Sequence, residues 1–189
     1  MIQRCNWVNK DTIYIQYHDK EWGQPVHDDK LLFEMLVLEM FQAGLLWITI
    51  LKKRENFRDA FDMFNYHKIS EYNENKVNLL LSDKGIIRNK RKILAVIENS
   101  KIFINIQKEH TTFNNYIWGF TDFKQLKENY DNITPLKLKL AKDVSNDLIK
   151  RGMKFVGKTI IYSYLEAIGV MSNHSKECFM SNISFNLKS

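Results

Sequence analysis

The chain has 189 residues and is 44% hydrophobic, with 28 Lys and Arg against 22 Asp and Glu for a net charge of +6. That length and composition suit one globular domain and exclude wholesale disorder, while seven Gly and two Pro are too few for a many-turned sandwich or barrel and lean toward helices. No apolar stretch reaches the ~20 residues of a membrane helix, and the start, Met1-Ile2-Gln3-Arg4-Cys5-Asn6-Trp7, has no apolar signal core, so a cytoplasmic chain is expected.

The first 27 residues are aromatic-rich and weakly periodic, with Trp7, Tyr14, Tyr17 and Trp22. Asp28-Asp29 then reads as a helix cap, followed by Leu32, Met35, Leu36 and Glu39 at helical spacing. A break at Ala43-Gly44 leads to a second run, Trp47 to Leu51. Further helical runs are predicted over about 54–64, 69–81, 89–106, 109–119, 136–151 and 156–168. Gly85, Gly119, Gly152 and Gly169 fall near run ends, where left-handed caps favour glycine. Strand alternation is weak, and no repeat or Gly/Ser linker divides the chain. One nearly all-α domain over 1–189 is expected.

The sequence pI near 9.2 fits a nucleic-acid binder as well as an ordinary basic protein. The basic clusters are Lys52-Lys53-Arg54, Arg88-Asn89-Lys90-Arg91-Lys92 and Lys150-Arg151. The middle one follows a helix and a turn at Gly85, so its backbone N–H groups and cations suit a phosphate, or else form a solvated basic face.

Two cysteines, Cys5 and Cys178, lie at opposite ends. A cytoplasmic disulfide is disfavoured, which leaves free thiols or a metal. His18 near one and His174 near the other complete a possible Cys2His2 set, with His174 and Cys178 spaced as H-x3-C. Glu39 shares the apolar face of Leu32 and Leu36. A carboxylate there is either a functional group or a structural one held by hydrogen bonds. The aromatics around it are core, or the walls of a slot for a planar base.

Together these segments resemble the constitutive 3-methyladenine DNA glycosylases of the helix-hairpin-helix superfamily. The matching stretches include Arg4 to Trp7, Tyr14 to Gly23 (YIQYHDKEWG), Leu32 to Glu34, Gln42 to Leu45, Trp47 to Asn56 (WITILKKREN) and Gly85 to Arg88. Lys92-Ile93, Arg151-Gly152, Lys154 to Gly157, and His174 with Cys178 complete the match. The likeness runs from residue 4 to 178, and 179–189 is expected to be a flexible tail.

The resemblance implies a compact helical bundle whose termini are stapled by structural zinc on Cys5, His18, His174 and Cys178. It implies that Glu39 and Tyr17 read an extruded base, that Trp47 stacks on it, and that Trp7, Tyr14 and Trp22 shape the pocket. Gly44 and Leu45 match a loop that wedges into the duplex, and Gly85, Arg88, Lys92 and Lys158 would meet DNA. The implied activity is monofunctional hydrolytic excision of 3-methyladenine from damaged double-stranded DNA by a monomer in the bacterial cytoplasm, associated with the nucleoid through DNA.

Three residues depart from the family pattern. After its glutamate the family usually has Gly or Ser, then Gln, Gln or His, and ends Gly-Leu-Ser-Trp. Here Met40, Phe41 and Leu46 are bulkier or less polar. They motivate two rival readings, a damage-binding module without turnover and a glycosylase of shifted lesion preference.

Overall fold

The computed structural model describes residues 2–127 and 133–181. The described residues are mostly helical. The helices are α1 (Thr12–Lys20), α2 (Asp29–Gln42), α3 (Trp47–Leu51), α4 (Arg54–Ala60), α5 (Tyr66–Ser70), α6 (Glu74–Ser82), α7 (Lys90–His110), α8 (Phe113–Gly119), α9 (Pro135–Lys150) and α10 (Lys158–Ala167). Two short strands, β1 (Leu126–Lys127) and β2 (Met171–Ser172), pair in parallel with Leu126 opposite Met171.

The organising element is α2. Every residue from Leu32 to Phe41 is buried, so this helix is surrounded rather than amphipathic. Its start follows the sequence: the Asp28 carboxylate accepts the Leu31 N–H at 2.8 Å, satisfying one otherwise orphaned donor. α7, α8 and α10 pack around it, and α9 packs on α10. Burying a helix on all sides strands its polar side chains, so Glu34 needs partners. Arg54 donates to it at 2.6 Å and Arg58 at 3.0 Å.

The α2 C-terminus carries a correction. Lys92, expected to meet DNA, is only 6% exposed. Its ammonium donates to the carbonyls of Phe41 at 3.0 Å and Ala43 at 2.9 Å. The last carbonyls of a buried helix have no intrahelical donor, and Lys92 fills that need instead of facing solvent.

Other differences have local causes. The aromatic first segment contains α1, whose buried residues are Tyr17 and His18, not an aliphatic stripe. The run expected over 54–64 breaks after α4 into a left-handed turn, with positive φ at Asp62, Met63 and Phe64. The run over 69–81 is two helices, because Asn73 caps α6 by accepting the Lys76 N–H at 3.1 Å. α7 runs on to His110, and Thr112 starts α8. Gly152 and Gly169 are left-handed, as expected of caps, but Gly85 and Gly119 are not. Phe179 to Ser181, expected in the tail, are ordered: the Phe179 N–H donates to Gln3 O at 3.0 Å and Met180 is buried. The rest of the expected tail, 182–189, lies outside the described residues.

Candidate active site and metal cluster

The aromatic segment and α2 meet at a cavity of about 330 Å³. Trp7, Tyr14, Tyr17 and Trp22 come from the N-terminal segment, Glu39 and Gln42 from α2, and Trp47 from the start of α3. Ser163 and Glu166 of α10 and Asn173 complete the wall. The structure thus brings together every residue expected to touch the base. Tyr14 fixes the relation of α1 to α3, since its hydroxyl accepts the Ile48 N–H at 3.2 Å. The Tyr17 and Trp47 rings lie 5.4 Å apart.

Glu39 is 5% exposed, and among the described residues no side chain donates a hydrogen bond to it. Burial, and then the nearby Glu166 charge, push its carboxyl up to about 8. Burial, and then the Glu39 charge, likewise push the Tyr17 phenol up. The indole N–H of Trp47 is buried without a partner. Buried polar groups are normally satisfied, so an unpaired carboxyl and an unpaired indole on one cavity mark a place for a polar, planar guest.

Four lining residues were not anticipated as part of the site: Gln42, Ser163, Glu166 and Asn173. The residues of α10 buried in the core are Ile161, Tyr164, Leu165 and Ala167. Glu166 is not among them, and a sequence reading assigns such a charge to solvent. Met40, Phe41 and Leu46, the departures from the family pattern, do not line the cavity. Met40 and Phe41 are fully buried in the core, with Phe41 4.8 Å from the Phe57 ring. Leu46 is 73% exposed at the N-cap of α3, where no side chain caps the helix.

Behind the aromatic wall lies a cluster of Cys5, His18, His174 and Cys178, all buried, with ligand atoms within 4.8 Å of one another. His174 Nδ1 is 3.6 Å from Cys5 Sγ and 3.7 Å from Cys178 Sγ, and His18 Nε2 is 3.4 Å from Cys178 Sγ. Burial holds both imidazoles below their ordinary value, His174 at about 4, so each offers a neutral nitrogen. His18 Nδ1 lies 2.8 Å from Asp19 Oδ1, and Arg4 grips the Asp19 carboxylate at 2.7–3.1 Å. A carboxylate on the second ring nitrogen is how a metal-binding histidine is oriented. These four residues could hold a metal ion. The cluster also buttresses the cavity: the Trp22 ring is 4.7 Å from His174, and the Trp7 ring is 5.4 Å from His18.

Gly44 adopts φ +85° between α2 and α3, a conformation that favours glycine. The turn is closed by Leu45 N–H donating to Gln42 O at 2.7 Å and Gln42 Nε2 donating to Leu45 O at 3.1 Å. Leu45 and Leu46 stand exposed beside the cavity residue Gln42. The α6–α7 hairpin is braced from the side: Lys53 Nζ donates to Lys84 O and Gly85 O, each at 3.0 Å, and Gly85 N–H donates to Asp83 Oδ1. Arg88, Lys90, Arg91 and Lys158 are exposed.

The methyladenine glycosylase family model matches residues 7–181. The chain is 41% identical over 179 residues to DNA-3-methyladenine glycosylase 1 of Escherichia coli, covering 94% of this chain and 96% of that one. It is 38% identical over 180 residues to the DNA-3-methyladenine glycosylase of Haemophilus influenzae, covering 94% and 97%. Among solved structures it is similar to 3-methyladenine DNA glycosylase I from Staphylococcus aureus, whose structure concerns 3-methyladenine recognition (TM-score 0.89, 32% identity, 97% and 98% coverage). Among the described residues no helix is long and apolar enough to cross a membrane.

Proposed function

The chain belongs to the methyladenine glycosylase family, and from that membership we propose that it excises 3-methyladenine from alkylated DNA by hydrolysis, leaving an abasic site. The observation that carries the residue assignment is one cavity lined by the buried residue Glu39, by Trp47 with its unpartnered indole, and by further aromatic rings. A base inside a duplex cannot reach such a cavity, so the nucleotide must be extruded, and a damaged base costs least to unstack.

Methylation at N3 gives the base a positive charge, so it is already a good leaving group. The bond from C1′ to the base breaks, its electron pair neutralises the base, and water adds its oxygen to C1′ and loses a proton. No protonation of the base is needed. The protein's task is to select and position. Trp47 stacks on the base, the Tyr and Trp rings surround it, and Glu39 meets the edge of the cation in a site shielded from water. Tyr17 supports that contact. The reading is of a monofunctional enzyme that forms no Schiff base and cuts no strand; among the described residues lining the cavity the carboxylates are Glu39 and Glu166.

Gly44 and Leu45 serve as the wedge that fills the gap left by the extruded base. The α6–α7 hairpin is the helix-hairpin-helix phosphate anchor, with Gly85 shaping the turn and Arg88 and Lys158 supplying charge. Lys92 has no part in this contact. The Cys2His2 cluster is a structural zinc site. Zn–S of about 2.3 Å and Zn–N of about 2.0–2.1 Å at tetrahedral angles put S and N roughly 3.5 Å apart, which the observed 3.4–3.7 Å fits. Cys5, His18, His174 and Cys178 would hold the ion, which would join the two ends of the chain behind Trp7 and Trp22. The working form in this reading is a monomer. Its setting in this reading is the bacterial cytoplasm, associated with the nucleoid through DNA.

The test is the profile of bases released from methylated duplex DNA. 3-Methyladenine released with the strand left intact supports the proposal. No release points to a damage-binding module, and release of another base instead points to a shifted preference.

A further inference from the structure

The base cavity contains two carboxylates, and the base-reading role of Glu39 leaves the second one unused. Glu166 extends from α10 into the same wall. Its placement is built rather than incidental. Asn173 donates from Nδ2 to Glu166 Oε1 at 2.5 Å, and Asn173 Oδ1 in turn accepts from Lys137 Nζ at 3.0 Å. Lys137 is fully buried on α9. A buried cation, an amide relay and a carboxylate thus form a line that ends at the cavity. The groups facing Glu166 are Glu39 of α2, Tyr17 of α1, Lys137 of α9 and, one turn earlier on α10, Tyr162. Glu39 itself is buried and lines the cavity, and the Trp47 indole on the same cavity has no partner. Glu166 is thus held from within the protein, while the Trp47 indole beside it is left for a guest.

We propose that Glu166 is a second specificity-determining residue of the pocket, forming with Glu39 a doubly acidic slot that accepts a cationic alkylated purine and disfavours neutral bases. The inference rests on the glycosylase reading and names how that pocket selects its substrate. Two carboxylates close together in a buried site cannot both ionise freely. In the free pocket burial, and then the Glu166 charge, hold Glu39 up at about 8, while burial holds Glu166 up at about 7 against the opposing pull of Asn173, Lys137 and Tyr162. A guest that carries its own positive charge lets the pair ionise and is attracted to both. Neutral adenine brings no charge to compensate, and it meets a pocket that has already lost its water. The lesion and the normal base differ by one methyl group and one charge. A methyl contact discriminates weakly, so charge is the stronger handle.

Direct binding to the zinc-loaded protein, read by tryptophan fluorescence, tests this independently of turnover. The probes are the permanently cationic 3,9-dimethyladeninium ion and neutral adenine, with wild type, Glu166→Gln and Glu166→Asp. The expected result is that Glu166→Gln weakens the cation on the order of tenfold and leaves adenine unchanged or tighter, while Glu166→Asp keeps most of the preference. The acidic limb of kcat/KM for 3-methyladenine excision should also move to lower pH in Glu166→Gln, because the Glu166 charge no longer raises Glu39. Equal cation-to-adenine preference in wild type and Glu166→Gln, with an unmoved pH limb, overturns the proposal. If Glu166→Gln does not fold, Glu166→Ala takes its place: a weakened cation with adenine unchanged or tighter supports the proposal, and a cation-to-adenine preference equal to wild type overturns it. Wild type that releases no 3-methyladenine but still prefers the cation defeats the glycosylase reading alone.

Discussion

Replacing Glu39 by Gln separates function from stability in opposite directions. Glu39 is held in the folded chain with its carboxyl up at about 8, against an ordinary value of 4.5. Below pH 4.5 the carboxyl is protonated in both folded and unfolded chains, and it contributes no difference. As pH rises toward 8 the unfolded chain releases this proton and the folded chain keeps it, so folding stability falls. The slope is about 1.36 kcal/mol per pH unit, which between 4.5 and 7 amounts to at most about 3 kcal/mol. Glutamine has no such penalty but must still bury an amide, so the net gain expected at pH 7 is about 1–3 kcal/mol. For a chain of this size that raises the thermal midpoint by roughly 2–4 °C per kcal/mol. Excision of 3-methyladenine should fall on the order of 10²-fold, as when one preorganised electrostatic group is removed. The assay is unfolding of wild type and variant at pH 4 and pH 7, both zinc-loaded, beside single-turnover base release. A variant destabilised equally at both pH values would refute the buried-carboxyl reasoning and mark Glu39 as a structural group.

The purified chain should carry one tightly held zinc by elemental analysis. Stripping it should cost about 3 kcal/mol or more if zinc stands at a hundred times its Kd; a well-folded, metal-free chain with a Cys5–Cys178 disulfide would contradict the site. Arg88→Ala should weaken binding to all DNA sequences alike and reduce the slope of log affinity against log salt by about 1. Lys92→Ala should leave that slope unchanged and instead lower folding stability by about 1–3 kcal/mol, because two buried carbonyls lose their donor; the opposite pattern would return Lys92 to the DNA surface.

Much of the site was readable because its residues are chemically unusual for where they sit. A carboxylate among Leu32, Leu36 and Met35 stands out on any helical count, and a chain with two cysteines, each near a histidine, offers few metal ligand sets. The helix hidden in the first segment was not readable, because it buries Tyr17 and His18 and aliphatic periodicity is silent there. Lys92 misled for a different reason. It sits in a run of exposed cations, yet it shares the inward face of α7 with Ile93, Val96 and Phe103, and its partners at Phe41 and Ala43 lie some fifty residues away. Glu166 was invisible in the same way: its meaning depends on Asn173, Lys137 and Glu39, which only the fold brings together.

The central claim is that the cavity around Glu39 and Trp47 is where an extruded methylated base is cut from DNA. Single-turnover release of 3-methyladenine from methylated duplex tests it most directly, comparing wild type with Glu39→Gln at equal zinc content and equal affinity for abasic-site DNA. The account predicts rapid release by wild type, an intact strand, and release slower on the order of 10²-fold by the variant. Release at the same rate by both proteins would contradict it.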